Sequence, residues 1–134
     1  MVTLKRWLKL YNNLLDDIDI LIVEIECKTN EFERWLDGGD LARSQTYLTS
    51  LERQAELKGA INDMTEELEK MQAQRDKVVS LINNFKGLDN RILEMRYIQE
   101  LSLSEIAVAT GYSYQHIKNR HSELMRRIEY KYNV

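Results

Sequence analysis

Apolar residues recur along the first part of the chain at Leu4, Leu8, Tyr11, Leu15, Ile18, Ile22 and Ile25, then at Phe32 and Leu36 beyond a polar Thr29. The intervals alternate four and three, the period of a helix that buries one seam. Trp7, Leu14 and Leu21 add a flanking stripe at spacing seven, so the apolar face is wider than a two-stranded seam requires. Gly38-Gly39 breaks the pattern, and Asp40 is placed to cap the next helix. A second seam runs through Leu57, Ile61, Met64, Leu68 and Met71, then Val78, Ile82 and Phe85, with Arg75 interrupting it. Two seams around a glycine break predict an antiparallel helical hairpin. If the chain reverses between Asp37 and Asp40, Arg75 falls opposite the first residues, where its head can reach water. Val78, Ile82 and Phe85 then need another surface, supplied by the C-terminal part of the chain or by a second copy.

The pattern changes after Lys86-Gly87. Asp89 is placed to cap a third helix, from Asn90 to about Gln99, with Ile92, Met95, Tyr97 and Ile98 turned inward. Ser102-x-x-Glu105 is a capping box ahead of Ile106 and Ala107. Gly111 supplies a left-handed residue that ends that helix, Tyr112 fills the corner, and Ser113 caps the next helix. Ile117 then returns to pack on Ile106 and Ala107. This order of residue types is that of a helix-turn-helix. On its second helix Tyr114, Gln115, His116, Lys118, Asn119 and Arg120 are polar or amphipathic and could face a major groove. The expected fold is all-α. A long, coiled-coil-like antiparallel hairpin over residues 1–86 serves as an oligomerisation stalk, followed by a small helix-turn-helix head over residues 87–134.

Composition agrees with this pattern: of 134 residues 43% are hydrophobic and 31% charged, with no proline and five glycines. That describes a soluble, nearly all-helical chain. The net charge of -3 is unfavourable for a DNA binder, but it is unevenly spread. Residues 1–86 carry 12 Lys and Arg against 16 Asp and Glu, whereas residues 87–134 carry seven against six. Lys118, Arg120, Arg126, Arg127 and Lys131 cluster in the last helix, so electrostatics points that helix towards DNA. The excess is modest, which implies a dimer or a protein partner.

Cys27 is alone, which rules out an intrachain disulfide and suits a reducing cytoplasm. Ile20-Leu-Ile-Val23 is too short to span a membrane, and Asp16, Asp17 and Asp19 before it exclude a signal-peptide core. There is no Gly-rich phosphate loop, no Cys/His cluster and no Ser/His/Asp arrangement, so no enzyme, cofactor, metal site or small-molecule ligand is expected. His116 and His121 are five apart and do not share a helix face, which disfavours metal binding.

Leu93-Glu-Met-Arg-Tyr97, followed by Leu103-Ser-Glu-Ile-Ala107, Gly111-Tyr-Ser113 and the helix centred on Ile117, resembles region 4 of bacterial sigma factors. The segment from Ile117 to Ile128 is also similar to the last helix of LuxR-type response regulators. Arg96-Tyr97, Glu105-Ile-Ala107, Tyr112-Ser-Tyr-x-His116 and the later His121 resemble phage-encoded ArpU/RinA-like late transcription regulators of Gram-positive bacteria. These motifs cover residues 88–128; the front half is similar only in its helical, heptad character and length. The resemblance implies that Tyr114, Gln115, Lys118 and Asn119 face DNA, with His116 towards the backbone. Gln115 and Asn119 can pair with adenine, Lys118 can reach guanine or phosphate, and Tyr114 can touch a thymine methyl. Arg126 and Arg127 are placed to hold phosphate and set register. Arg120 departs from the family pattern, which is usually apolar there. Either the last helix is rotated or Arg120 reaches out to a phosphate.

The function implied is a sequence-specific regulator of transcription on double-stranded DNA, of phage or prophage late-gene activator type. It is expected to act as a homodimer in the host cytoplasm or nucleoid, with host RNA polymerase as a further contact. The alternative is a DNA-packaging protein of the small-terminase kind, whose helical hairpins build a ring. On the stalk-and-head reading, residues 87–134 alone should be a monomeric head with weaker DNA affinity.

Overall fold

The computed structural model describes residues 4–36 and 38–132. Among these the chain is all helical, without strands. The elements are α1 (Leu4–Lys9), α2 (Tyr11–Trp35), α3 (Asp40–Arg43), α4 (Tyr47–Asn83), α5 (Gly87–Leu93), a π-helical turn Glu94–Ile98, α6 (Leu103–Thr110) and α7 (Tyr114–Tyr132). They form two compact units, one of residues 16–72 and the other of residues 1–15 with 73–134.

The first unit is the hairpin, in which α2 and α4 run antiparallel. Arg53 on α4 pairs with Glu31 on α2 at 2.9 Å, and Gln54 donates to the Trp35 carbonyl at 2.7 Å. Ile18 and Leu57 are buried on the facing seams, and Ile61, Met64 and Leu68 are half-buried there. The break falls at Gly38-Gly39, as the pattern predicts, while Asp37 lies outside the described residues. Gly38 takes φ +86, and at Gly39 an added Cβ would meet the Arg34 carbonyl oxygen, so the chain can turn here only without a side chain.

Asp40 does not cap the next helix. Gly39 holds that position, and the Asp40 carboxylate is taken by Arg34 at 2.9 and 2.7 Å. The long helix α4 starts only at Tyr47, where the Thr49 N–H donates to the Thr46 hydroxyl. The connection is therefore longer than a two-glycine reversal. Lys77 on α4 lies over the Trp7 ring, so this part of α4 faces the early residues of the chain, and Arg75 is partly exposed and pairs with Asp76.

The second unit contains the head, and its core draws on both ends of the hairpin. Leu8, Tyr11, Val78, Leu81 and Ile82 are buried in one cluster with Ile92, Leu93, Tyr97, Ile106, Ile117, Leu124 and Ile128. The surface that Val78 and Ile82 need is thus supplied within the chain. Each such side chain contributes about 1.5–3 kcal/mol on burial, so this cluster dominates the unit's stability. The unit takes in residues 1–15 and 73–86, which the hydrophobic pattern groups with the stalk.

Two asparagines join the pieces. Asn90 donates to the Ile82 carbonyl at 2.9 Å, which also accepts from the Phe85 N–H at 3.2 Å, tying the start of α5 to the end of α4. Asn12 donates from one nitrogen to the carbonyls of both Tyr97 (3.1 Å) and Ile98 (3.2 Å). Those carbonyls lie at the end of the π turn, where the regular helical ladder is interrupted. The turn closes with the Leu101 N–H on the Met95 carbonyl and with Glu100 at φ +59, a left-handed conformation rarely taken by a residue with a side chain.

Asp89 is not a cap either. The helix begins at Gly87, and Asp89 sits in its first turn with its carboxylate turned towards α7.

Candidate nucleic-acid interface

The helix-turn-helix is built from local chemistry. The Glu105 N–H donates to the Ser102 hydroxyl at 3.1 Å, and the Ser102 N–H donates back to the Glu105 carboxylate at 3.2 Å, closing the capping box. Gly111 takes φ +78, and its N–H ends α6 on the Ala107 carbonyl. Ser113 then opens α7, its hydroxyl accepting from the His116 N–H at 3.1 Å. Ile106, Ala107 and Ile117 are buried in the same cluster and fix the crossing of the two helices. Tyr112 does not fill the corner. It is half exposed and stacks on His116 with ring centroids 4.9 Å apart, because the three aliphatic side chains already occupy the inside.

At 3.6 residues per turn, Gln115, Asn119, Ser122 and Arg126 fall on one stripe of α7, opposite the buried Ile117, Leu124 and Ile128. All four are exposed. Gln115 donates its amide to the Asn119 carbonyl oxygen at 2.9 Å, which orders both side chains before any ligand arrives. Tyr114 and Lys118 are exposed along one flank of the stripe, and His116 and Arg127 along the other. The sequence pattern does not single out Ser122, although its spacing from Asn119 and Arg126 places it on the same line.

Arg120 is engaged differently. Its Nε and Nη2 bond to the two carboxylate oxygens of Asp89 at 2.5 and 2.7 Å, and Nη1 reaches Glu123 at 3.2 Å. The polar residue at a usually apolar position is thus a strut between α5 and α7. The hydrogen bonds from Arg120 hold the Asp89 carboxyl below the usual carboxylate range and raise the Arg120 guanidinium in turn. Arg127 stands 3.9 Å from the same carboxylate and lies over the Phe85 ring. Arg126 points outward.

His121 is not on the exposed stripe. Its Nε2 lies 2.7 Å from the Tyr97 hydroxyl, half-buried, so the two histidines are separated in space as well as in role. Among the described residues no group of three or more His, Cys, Asp or Glu could hold a metal ion. No described helix is long and apolar enough to cross a membrane.

The decisive feature is the order of α5, the capped α6, the left-handed glycine and the polar-faced α7. Residues 87–129 match the sigma-70 region 4 family. This segment is a region 4 helix-turn-helix domain, a DNA-binding type common in transcription regulators. Neither a curated protein nor a solved structure matches the chain. The region 4 match begins at Gly87, so its core is completed by residues outside the matched segment: Leu8, Tyr11, Val78, Leu81 and Ile82.

Proposed function

We propose that the protein is a sequence-specific transcription regulator that reads double-stranded DNA through α7, a phage or prophage late-gene activator acting at a promoter. The observation that carries this reading is the exposed stripe Gln115, Asn119, Ser122 and Arg126 on the second helix of a region 4 domain. With the Gln115 amide bonded to Asn119, Gln115 still offers a carbonyl oxygen and Asn119 still offers N–H groups. One acceptor beside one donor matches the N6 and N7 edge of adenine. Lys118, Arg126 and Arg127 hold phosphates, Tyr114 meets a thymine methyl, and His116 faces the backbone. Arg120 contributes by fixing α7 on α5 rather than by direct contact.

The weak basic excess of one head favours two linked heads, for which effective concentration compensates. Ile20 and Val23 on α2 and Tyr47 and Leu48 on α4 are exposed apolar side chains available to a homodimer. An activator of this kind also contacts host RNA polymerase and works in the cytoplasm or nucleoid of the host.

Genome-wide mapping of bound DNA, paired with mass measurement in solution, tests the reading. A peak at one promoter and a dimeric mass are expected. A ring of eight or more copies bound at a packaging site would replace this reading with the small-terminase one.

A further inference from the structure

A cleft of about 530 Å³ opens between Lys9 of α1, Arg96 and Tyr97 of the π turn, Glu100, and His121 of α7. It lies roughly a third of a turn around α7 from the Gln115–Arg126 stripe, so it is separate from the proposed base-reading face. Among the described residues Lys9 has neither an ion-pair nor a hydrogen-bond partner. Arg96 spends Nη1 on the Leu101 carbonyl at 3.2 Å.

The floor of the cleft holds a hydrogen bond with two settings. The Tyr97 hydroxyl lies 2.7 Å from His121 Nε2 and 3.3 Å from Met125 Sδ. With neutral His121 accepting at Nε2, the hydroxyl donates to the imidazole and Nδ1 carries the proton. With His121 protonated, Nε2 donates to the hydroxyl oxygen, and the hydroxyl proton turns to Met125. Neither setting leaves a buried donor without a partner. Hydrogen bonding therefore does not oppose protonation; burial and the surrounding cations do.

We propose that this cleft binds one oxyanion of the phosphate type, and that binding is coupled to protonation of His121. An oxyanion here would accept from Lys9 and Arg96 and offset the positive charge that now disfavours the imidazolium. The charged and titratable groups facing His121 are Lys5 and Lys9 on α1, Arg96 and Tyr97 on the π turn, and Glu100 at its close. Lys5 is partly neutralised by Glu129 at 3.4 Å. Burial, followed by Arg96, Lys9 and Lys5, holds the His121 imidazole below its usual range, and an anion beside those cations would raise it. Glu100 is the one carboxylate among the lining residues and opposes an anion. The inference does not depend on the proposed DNA reading.

The test tracks the imidazole C–H resonances of the full chain through a pH titration, with His121→Gln distinguishing His121 from His116. Sodium sulfate, a dianion that does not titrate in this range, is compared with sodium chloride at equal ionic strength. Sulfate should raise the His121 midpoint by about one pH unit, which means about tenfold tighter binding to the protonated form. Lys9→Ala should remove most of that rise, and Glu100→Gln should enlarge it. A parallel titration with duplex DNA identifies the source. A rise with DNA but not sulfate assigns the oxyanion to the DNA backbone, and a rise with sulfate assigns it to a free anion. A midpoint moved by neither overturns the proposal.

Discussion

Arg120 can serve as a strut or as a phosphate contact, and replacing its partner separates the two. The Asp89 side chain is 14% exposed and that of Arg120 33%, so the pair is partly desolvated. Hydrogen bonds to charged groups contribute about 1.5–3 kcal/mol, and the exposure of the guanidinium favours the lower part of that range. Asp89→Asn should therefore cost about 2 kcal/mol, lowering the melting temperature by roughly 6–10 °C. Arg120→Ala should cost a similar amount. The double variant should cost clearly less than the sum, with a coupling of about 1 kcal/mol or more in urea denaturation. The pH dependence has a definite sign. Because the Asp89 carboxyl is depressed by its partner, the contribution is fully present above the ordinary carboxylate range and disappears as pH falls through the lower folded-state value. The gap between wild type and Asp89→Asn should be constant from about pH 5 to 8 and close only below about pH 4. On DNA, Asp89→Asn should leave the salt dependence unchanged at temperatures where the variant is folded. Unaltered stability in Arg120→Ala, with its salt slope reduced by about one, would show that Arg120 holds a phosphate after all.

Gln115→Ala or Asn119→Ala should each cost roughly 1–3 kcal/mol on the preferred site and little on random DNA, measured by gel shift. Lys118→Ala or Arg126→Ala should weaken binding to every sequence and lower the salt slope by about one; equal losses in both sets would contradict the division of roles along α7. Asn12→Ala strands two carbonyls of the π turn and should cost about 1–3 kcal/mol, with faster hydrogen exchange at Gln99 and Leu101 as the local sign. Residues 87–134 alone should fail to fold, because Leu8, Tyr11, Val78, Leu81 and Ile82 are missing from their core; a cooperative melting transition in that fragment would refute this. A stalk-and-head division predicts instead a folded, monomeric, weakly binding head, so the same melting experiment decides between the two expectations.

The helix-turn-helix was legible because its instructions are local. Ser102 and Glu105, Gly111, and Ser113 with His116 each act within four residues, and the structure realises all of them. The hairpin was legible for the same reason, since helical periodicity marks which side chains are buried. Periodicity does not say what buries them, and so the docking of Leu8 and Val78 into the head core was left open. Asp40 and Asp89 look like caps by position, but each sits near an arginine that offers two donors, and bidentate pairing prevailed. Asp89 and Arg120 are 31 residues apart, beyond any local rule; the one available signal was an arginine at a usually apolar position. The π turn and the left-handed Glu100 gave no signal in residue type.

Placing Leu8 and Tyr11 in the same core as Leu124 and Ile128 has a consequence for how the molecule is made. On the ribosome, the early residues emerge long before their partners are synthesised, so the core cannot close until the last helix has been translated. Such contacts, reaching 124 residues between Lys5 and Glu129, carry a larger loop-closure cost than the local contacts within each helix and form only after it is met. Until then the apolar faces of α1 and α4 stay open to chaperones and to neighbouring nascent chains. A chain that stops short of α7 would therefore lack the closed core as well as the polar stripe, so the fold and the candidate DNA-facing surface are lost together.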